Sequence, residues 1–208
     1  MTPLEVLDWR RRIAELYARI RGGAAASAGA MHAEWRETRQ ALFRHHPASP
    51  LQNWSATARE AVSIPGFPYD PAWRITAELR PAAVPAAPFH CTLGADGALE
   101  MTHIGDTVGL ETRCGTELPV YSMAGYGGGI YIAFADTHSA TYGGGRYVYD
   151  TRKGADLGQE NGRLVLDFNF AFSPSCAWST DYVCPLAPAE ARLPVEVAAG
   201  EVAPPALR

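Results

Sequence analysis

The stretch from Thr141 to Phe170, TYGGGRYVYDTRKGADLGQENGRLVLDFNF, carries the clearest signals for the fold of this chain. Two runs rich in valine, leucine and aromatic residues, RYVYD and RLVLDFNF, are joined there by a segment rich in glycine and charge. Such runs are typical of strands, and glycine-rich segments between them are typical of turns. The stretch therefore predicts two strands of an antiparallel sheet.

Runs of the same kind follow one another from Leu51 onwards, separated by proline and glycine. They cover residues 75–79, 89–93, 99–104, 107–112, 117–123, 130–135, 147–149 and 164–170. Gly94-Ala95-Asp96-Gly97, between two of them, is a hairpin signal and supports antiparallel pairing. Regular short strands with turn signals predict an antiparallel β-barrel or sandwich.

Two α-helices are predicted before the strands. Thr2, Pro3 and Glu5 mark the start of the first, because an N-cap threonine and a glutamate three residues later form a capping box. Apolar residues then recur at helical spacing as far as Gly22-Gly23. After a linker of small residues, 24–30, a second amphipathic pattern predicts another helix that ends before proline 47.

The composition fits a mainly β protein with a helical extension. A chain of 208 residues, 47% of them hydrophobic, is long enough to bury about 70% of its unfolded surface. We expect an N-terminal helical segment at 1–46 and a β-rich domain at 47–208, packed as a single compact unit. Residues 1–21 carry charges throughout, unlike a signal peptide or a membrane helix. A cytoplasmic protein without membrane association is therefore expected.

The charge distribution argues against nucleic acid as a partner. The formal net charge is −4, but residues 1–45 hold eight arginines against five acids, and the remainder is strongly acidic. A surface that binds phosphates needs clustered lysine and arginine. The β-rich part has no such cluster in its sequence, so we predict no binding of nucleic acid.

Polar residues on the predicted strands are the best candidates for a binding site. In GRLVLDFNF, period-two alternation places Asp167 and Asn169 on the face opposite the leucines and phenylalanines. A carboxylate there requires a partner, and Arg146 on the preceding strand is the nearest candidate. Together with Tyr142, these residues predict either a structural ion pair or a site for a polar or anionic small molecule.

A second possibility is acid–base chemistry in the loop after residue 135. Asp136 and His138 are two residues apart, and a carboxylate that orients an imidazole raises its basicity. A solvent-exposed loop histidine without a catalytic role is the alternative. No motif of a known hydrolase, such as G-x-S-x-G or H-E-x-x-H, is present.

The cysteines, histidines and glycines do not match known cofactor motifs. Cys176 and Cys184 are too far apart for a zinc knuckle, and we interpret them as packed thiols, with a disulfide or a metal site as alternatives. His90, Cys91 and His103 lack the spacing of metal ligands. The glycine triplets at 127–129 and 143–145 do not precede a helix, so they favour turns over phosphate binding. We predict neither a metal nor a cofactor.

Several blocks of the chain resemble a bacterial family catalogued as domain of unknown function 1684. They are LDWRRR at 7–12, FRHHPASPL at 43–51, FPYDPAWR at 67–74, TYGGGRY at 141–147, KGADLG at 153–158, LDFNFAFSPSCAW at 166–178 and CPLAPAEARLPVEVAAGE at 184–201. The scarcity of lysine resembles members from actinobacteria. The resemblance implies a compact, mainly β domain after N-terminal helices, and it implies no established activity.

This chain departs from the family pattern at two places. Family members commonly have asparagine at the position of Ala191, and Thr-Gly or Thr-Ala where this chain has Thr137-His138. We therefore carry three hypotheses for the function: a small-molecule-binding β-domain, an acid–base enzyme such as a hydrolase or lyase that uses the same polar residues, and an interaction module. In the third, the helices would present Trp9 and Trp35 to a partner.

Overall fold

The computed structural model describes residues 1–24, 27–84, 87–94 and 97–205. Helix α1 runs over Pro3–Gly22 and helix α2 over Ala28–His45. The capping box is present, with the Thr2 N–H 2.6 Å from a carboxylate oxygen of Glu5. Both predicted helices are thus confirmed, although α2 already begins inside the small-residue segment 24–30, of which residues 25 and 26 lie outside the described part.

A curled, antiparallel sheet follows the helices. Its strands are β1 (Arg74–Pro81), β2 (Phe89–Thr92), β3 (Ala98–Val108), β4 (Pro119–Met123), β5 (Ile130–Phe134), β6 (Arg146–Asp150), β7 (Gln159–Glu160) and β8 (Arg163–Asp167). Within the described ranges, the order is β6-β5-β4-β3-β1-β8-β7, with β2 paired to β3. The predicted antiparallel architecture after two helices is confirmed, in the form of a half-barrel.

The strand boundaries differ from the prediction most clearly over residues 99–112. Residues 99–104 and 107–112 were expected to be two strands but form one, because a bulge between His103 and Gly105 lets β3 continue. At Gly105 a Cβ atom would lie 2.2 Å from the carbonyl oxygen of Arg80, so only glycine fits this close approach. The chain then turns into a short helix, α4, at Glu111–Cys114.

The predicted hairpin between β2 and β3 is only partly described. The two strands pair in antiparallel register, and the Leu93 N–H donates to the carbonyl of Gly97 at 2.7 Å. The central turn residues Ala95 and Asp96 lie outside the described residues. The pairing that the hairpin signal predicted is therefore confirmed without a statement on the turn itself.

Helices and sheet share one hydrophobic core. Its buried members include Leu16 and Tyr17 of α1, Trp35 of α2, and Tyr131 and Phe168 from the β-rich part. A smaller cluster lies beside it, formed by Phe43, Leu51, Val62, Ile64, Ala177 and Trp178, with helix α3 (Ala56–Ala61) nearby in sequence. The helices therefore close the core of the sheet.

One of the two tryptophans proposed for partner binding is buried, and the other is half-buried. Trp35 is buried, and its ring lies edge-on to that of Phe170 at 5.6 Å. Trp9 packs against Phe43 at 5.9 Å and His46 at 5.3 Å. Trp35 is therefore unavailable to a partner, whereas Trp9 keeps part of its surface exposed, and the interaction module stays a prediction.

Candidate functional site

Arg146 is the centre of a closed, buried network. Its Nη2 atom lies 2.7 Å from Asp136 Oδ2 and 3.0 Å from the carbonyl oxygen of Val197. Its Nη1 atom donates to the carbonyls of Ala199 and Glu201. Arg146 therefore ties the C-terminal segment to the sheet through both Nη atoms, while its buried Nε has no hydrogen-bond partner in the described part of the chain.

The expected pairing of Arg146 with Asp167 is wrong. The sheet register places Arg146 opposite Phe134, and Asp136 follows two residues later, so its carboxylate reaches the guanidinium first. Asp167 lies on β8, which pairs with β1 and β7 instead. The two strands are close in sequence but are not neighbours in the sheet, so sequence proximity predicted the wrong partner for Arg146.

Asp136 and His138 belong to one turn but do not form an acid–base pair there. Asp136 Oδ1 accepts the backbone N–H of His138 at 2.8 Å, and Oδ2 binds Arg146. The imidazole Nδ1 of His138 accepts the N–H of Ala140 at 3.1 Å, and its ring packs edge-on against Phe67. The carboxylate holds the turn and Arg146, so it does not orient the imidazole.

Tyr142 lies apart from the other predicted site residues. It is partly buried and packs against the smaller hydrophobic cluster. A Cβ atom at Gly144 would lie 2.5 Å from the ring of Tyr142. The second glycine triplet thus serves close packing next to this tyrosine, as its sequence suggested.

Asp167 and Asn169 form a connected pair at the end of β8. The predicted alternation stops here, because Asp167 caps a 3-10 turn at Phe168–Phe170 and its Oδ1 accepts from the backbone N–H of Asn169 at 3.0 Å and from its Nδ2 at 2.8 Å. The Asn169 amide also bonds both backbone groups of Asp70, at 2.9 and 2.8 Å. Asn169 is therefore a connector between two loops.

Asp167 also lines a small cavity of about 110 Å³. The wall comes from the end of α1 and the start of α2 on one side, and from β7, β8 and Phe170 on the other. Such a volume holds several water molecules or a ligand of a few heavy atoms. We call this space the Asp167 cavity.

The charge state of Asp167 distinguishes it from an ordinary capping residue. Burial raises the pKa of its carboxyl to about 6, against the lowering effect of the hydrogen bonds from Asn169 and of nearby Arg74. Arg74 itself pairs with Glu160, and Arg21 lies 3.5 Å from Asp156. Among the described residues, no basic group forms an ion pair with Asp167. A buried carboxyl with a strongly shifted pKa beside a cavity is typical of functional sites.

A larger cleft, of about 810 Å³, contains an imidazole–carboxylate pair that the sequence analysis missed. His103 Nε2 lies 3.0 Å from Asp106 Oδ1, and the imidazole ring is 5.7 Å from that of Tyr121. The Tyr121 hydroxyl donates to Glu190 at 2.6 Å. The available signal was Gly105 between His103 and Asp106, because a glycine bulge lets both side chains reach one side of the strand.

Ala191, one of the two departures from the family pattern, lies in a packed part of the structure. Ala191 is fully buried, and its carbonyl accepts the Ala135 N–H at 3.0 Å, which joins the C-terminal segment to the end of β5.

All four cysteines are free. Within the described residues, no three histidine, cysteine or acidic side chains are grouped to hold a metal ion. No described helix is long and apolar enough to cross a bilayer.

Two N-terminal helices that close a curled antiparallel half-barrel define the class of protein. The family model described as "Protein of unknown function (DUF1684)" matches residues 61–202, and the chain belongs to this family. The solution NMR structure of an uncharacterized protein from Haloarcula marismortui is similar, with 25% identity, a TM-score of 0.51, and coverage of 80% of this chain and 89% of that one. No curated protein matches.

Proposed function

We propose that this protein binds a small, polar organic cation, such as a short amine, in the Asp167 cavity. The observation that carries the proposal is the buried carboxyl of Asp167, with its raised pKa and no ion-pair partner among the described residues, beside a space of about 110 Å³. Above pH 6 this carboxyl is largely ionised, and an ammonium group would add a direct counter-charge to the partial compensation from Arg74.

The geometry favours a cation over the anion that the sequence analysis included. An anionic ligand would need a free guanidinium, but Arg146 is enclosed by Asp136 and backbone carbonyls. Arg74 and Arg21, at the cavity, are already paired with Glu160 and Asp156. Asp167 is left as the charge that a ligand can neutralise.

Thermal unfolding in the presence of small ligands tests this proposal. Methylammonium and ethanolammonium chloride are expected to raise the melting temperature at pH 8, whereas sodium acetate and sodium chloride at equal ionic strength are not. The Asp167→Asn variant keeps the side-chain size and should lose the response. Equal shifts with all four salts, or an unchanged response in Asp167→Asn, would overturn the proposal.

A second candidate function, acid–base catalysis, is favoured by the His103–Asp106 contact of 3.0 Å in the larger cleft. A carboxylate that holds one imidazole nitrogen leaves the other to accept a proton from water or substrate. Hydrolysis of p-nitrophenyl acetate and p-nitrophenyl phosphate tests this, with His103→Gln as the variant and His90→Gln, an exposed histidine, as its control. Equal rates for the parent and both variants would remove the candidate.

A further inference from the structure

Arg74 and Asp167 lie opposite each other on two neighbouring strands of the sheet. The antiparallel register of β1 and β8 pairs Arg74 directly with Asp167. Side chains of directly opposed residues project from the same face of a sheet, with Cβ atoms about 4.5–5.5 Å apart. Both residues also line the Asp167 cavity. The side chain of Arg74 is therefore long enough to reach the buried carboxylate.

The guanidinium of Arg74 nevertheless binds a different carboxylate. Its Nη2 atom donates to Oε1 of Glu160, which lies on the short strand β7 and also lines the cavity. Further along β1 and β8, Glu78 and Arg163 do pair with each other across the two strands, at 3.4 Å. The contact with Glu160 thus turns Arg74 away from its cross-strand neighbour.

The two carboxylates offer Arg74 different environments. The side chain of Glu160 is 51% exposed and that of Arg74 is 28% exposed, so their ion pair is in contact with water and is weak. Asp167 is only 2% exposed. A guanidinium bound to it would gain a stronger charge interaction but would lose part of its own hydration. Because this gain and this loss oppose each other, both positions of Arg74 are accessible to the protein.

We propose that Arg74 exchanges between Glu160 and Asp167, and that Glu160 keeps the Asp167 cavity open to a cation by holding Arg74 away. With Arg74 on Glu160, the carboxylate of Asp167 is available to an ammonium group. With Arg74 on Asp167, the guanidinium takes the place of that group. The consequence for ligand binding rests on the proposed function, whereas the exchange itself requires no ligand. Glu160 is thus a positioning residue, because it acts on the site through Arg74.

The pKa of Asp167, measured by carboxyl ¹³C NMR without ligand, tests the exchange. Glu160→Gln should lower this pKa below the value of about 6 in the parent, because the released guanidinium stabilises the carboxylate. Glu34→Gln is the matched control, since it breaks a surface ion pair with Arg19 away from the cavity and should leave the pKa of Asp167 as it is. The same pKa of Asp167 in Glu160→Gln and in the parent would refute the exchange.

A double-mutant cycle separates the action of Arg74 from a direct effect of the charge on Glu160. In an Arg74→Gln background the mobile guanidinium is absent, so the further change Glu160→Gln should leave the pKa of Asp167 unaltered. An equal decrease in both backgrounds would show that Glu160 acts on Asp167 directly, against the proposal. Glu160 lies on an exposed strand of two residues, so its substitution spares the hydrophobic core. Circular dichroism of each variant checks that the fold is retained.

Ligand binding provides an independent readout. Glu160→Gln should weaken the binding of ethanolammonium at least about fivefold, because apparent affinity falls with the fraction of molecules whose carboxylate is available. Adding Arg74→Gln should restore binding to at least the parent level. If the parent binds no ethanolammonium while Glu160→Gln still lowers the pKa of Asp167, the proposed ligand is wrong and the exchange of Arg74 stands. If the parent and Glu160→Gln bind ethanolammonium equally well, Glu160 does not keep the site open and the inference fails.

Discussion

The guanidinium of Arg146 lies 2.7 Å from the carboxylate of Asp136, and both side chains are 1% exposed. Removing one member of a buried ion pair leaves the other charge without compensation. We therefore expect Arg146→Ala to lower the free energy of unfolding by about 3–5 kcal/mol, as measured by urea denaturation. Arg80→Ala, at a solvent-exposed contact of 3.9 Å with Asp106, should cost less than about 1 kcal/mol. Similar losses for the two variants would show that Arg146 is not a structural centre.

Glu201 and Arg39 provide a comparable test for the attachment of the helices. Their buried side chains meet at 2.5 Å, and the second oxygen of Glu201 accepts the Ser173 N–H at 2.8 Å. Glu201→Ala should destabilise the fold by about 3–5 kcal/mol, because Arg39 would be left buried and unpaired. Glu34→Ala is the matched control, since its ion pair with Arg19 at 2.7 Å lies on the surface. Chemical denaturation of both variants should therefore give clearly different midpoints.

The carboxyl of Asp167 predicts a pH dependence of stability. The pKa of Asp167 is about 6 in the folded protein, against 3.8 for an unperturbed aspartate as in the unfolded chain. Between these two pH values the folded state therefore binds more protons than the unfolded state. The contribution of Asp167 to stability is fully present below pH 4 and is lost as the pH rises through 6, by about 3 kcal/mol. Asp167→Asn should flatten this slope and be more stable than the parent at pH 8. The measurement is a series of urea titrations from pH 4 to pH 8, with Glu15→Gln, an exposed carboxyl, as the control that keeps the slope.

Gly105 is expected to be irreplaceable in the bulge of β3. In Gly105→Ala the new methyl group would lie 2.2 Å from the carbonyl oxygen of Arg80, so backbone must move, at a cost of about 3 kcal/mol. Gly29→Ala, in α2 with open space around the position, should instead gain up to about 1 kcal/mol. Thermal unfolding distinguishes the two outcomes. Equal stability of Gly105→Ala and the parent would contradict the close approach.

Local signals predicted the elements of the fold well. The first helix was predicted from the capping box at Thr2 and Glu5 and from the glycines at the end of α1, because these signals lie within a few residues of the helix ends. The curl of the sheet and the order of its strands depend on contacts between residues that are distant in sequence. The periodicity of a single segment carries no information on such contacts. For the same reason Asp136 was overlooked as the partner of Arg146.

The candidate site was less accessible from the sequence. Asp167 was identified from its position in an apolar strand, but the 3-10 turn that follows it was not, because alternation does not reveal where a strand ends. The pairing of His103 with Asp106 needs the bulge at Gly105 between them. Cys176 and Cys184 lie in a part of the chain without strands, so their spacing alone left packed thiols, a disulfide and a metal site as alternatives.

The pKa of Asp167, measured by carboxyl ¹³C NMR without and with ethanolammonium, is the most direct test of the proposed binding site. We predict a pKa of about 6 in the free protein, since burial disfavours the carboxylate. A bound ammonium group stabilises the carboxylate, so saturating ethanolammonium should lower the pKa of Asp167, while sodium chloride at equal ionic strength should not. A pKa of Asp167 that is the same with ethanolammonium as with sodium chloride would contradict the proposal that this cavity binds a cation.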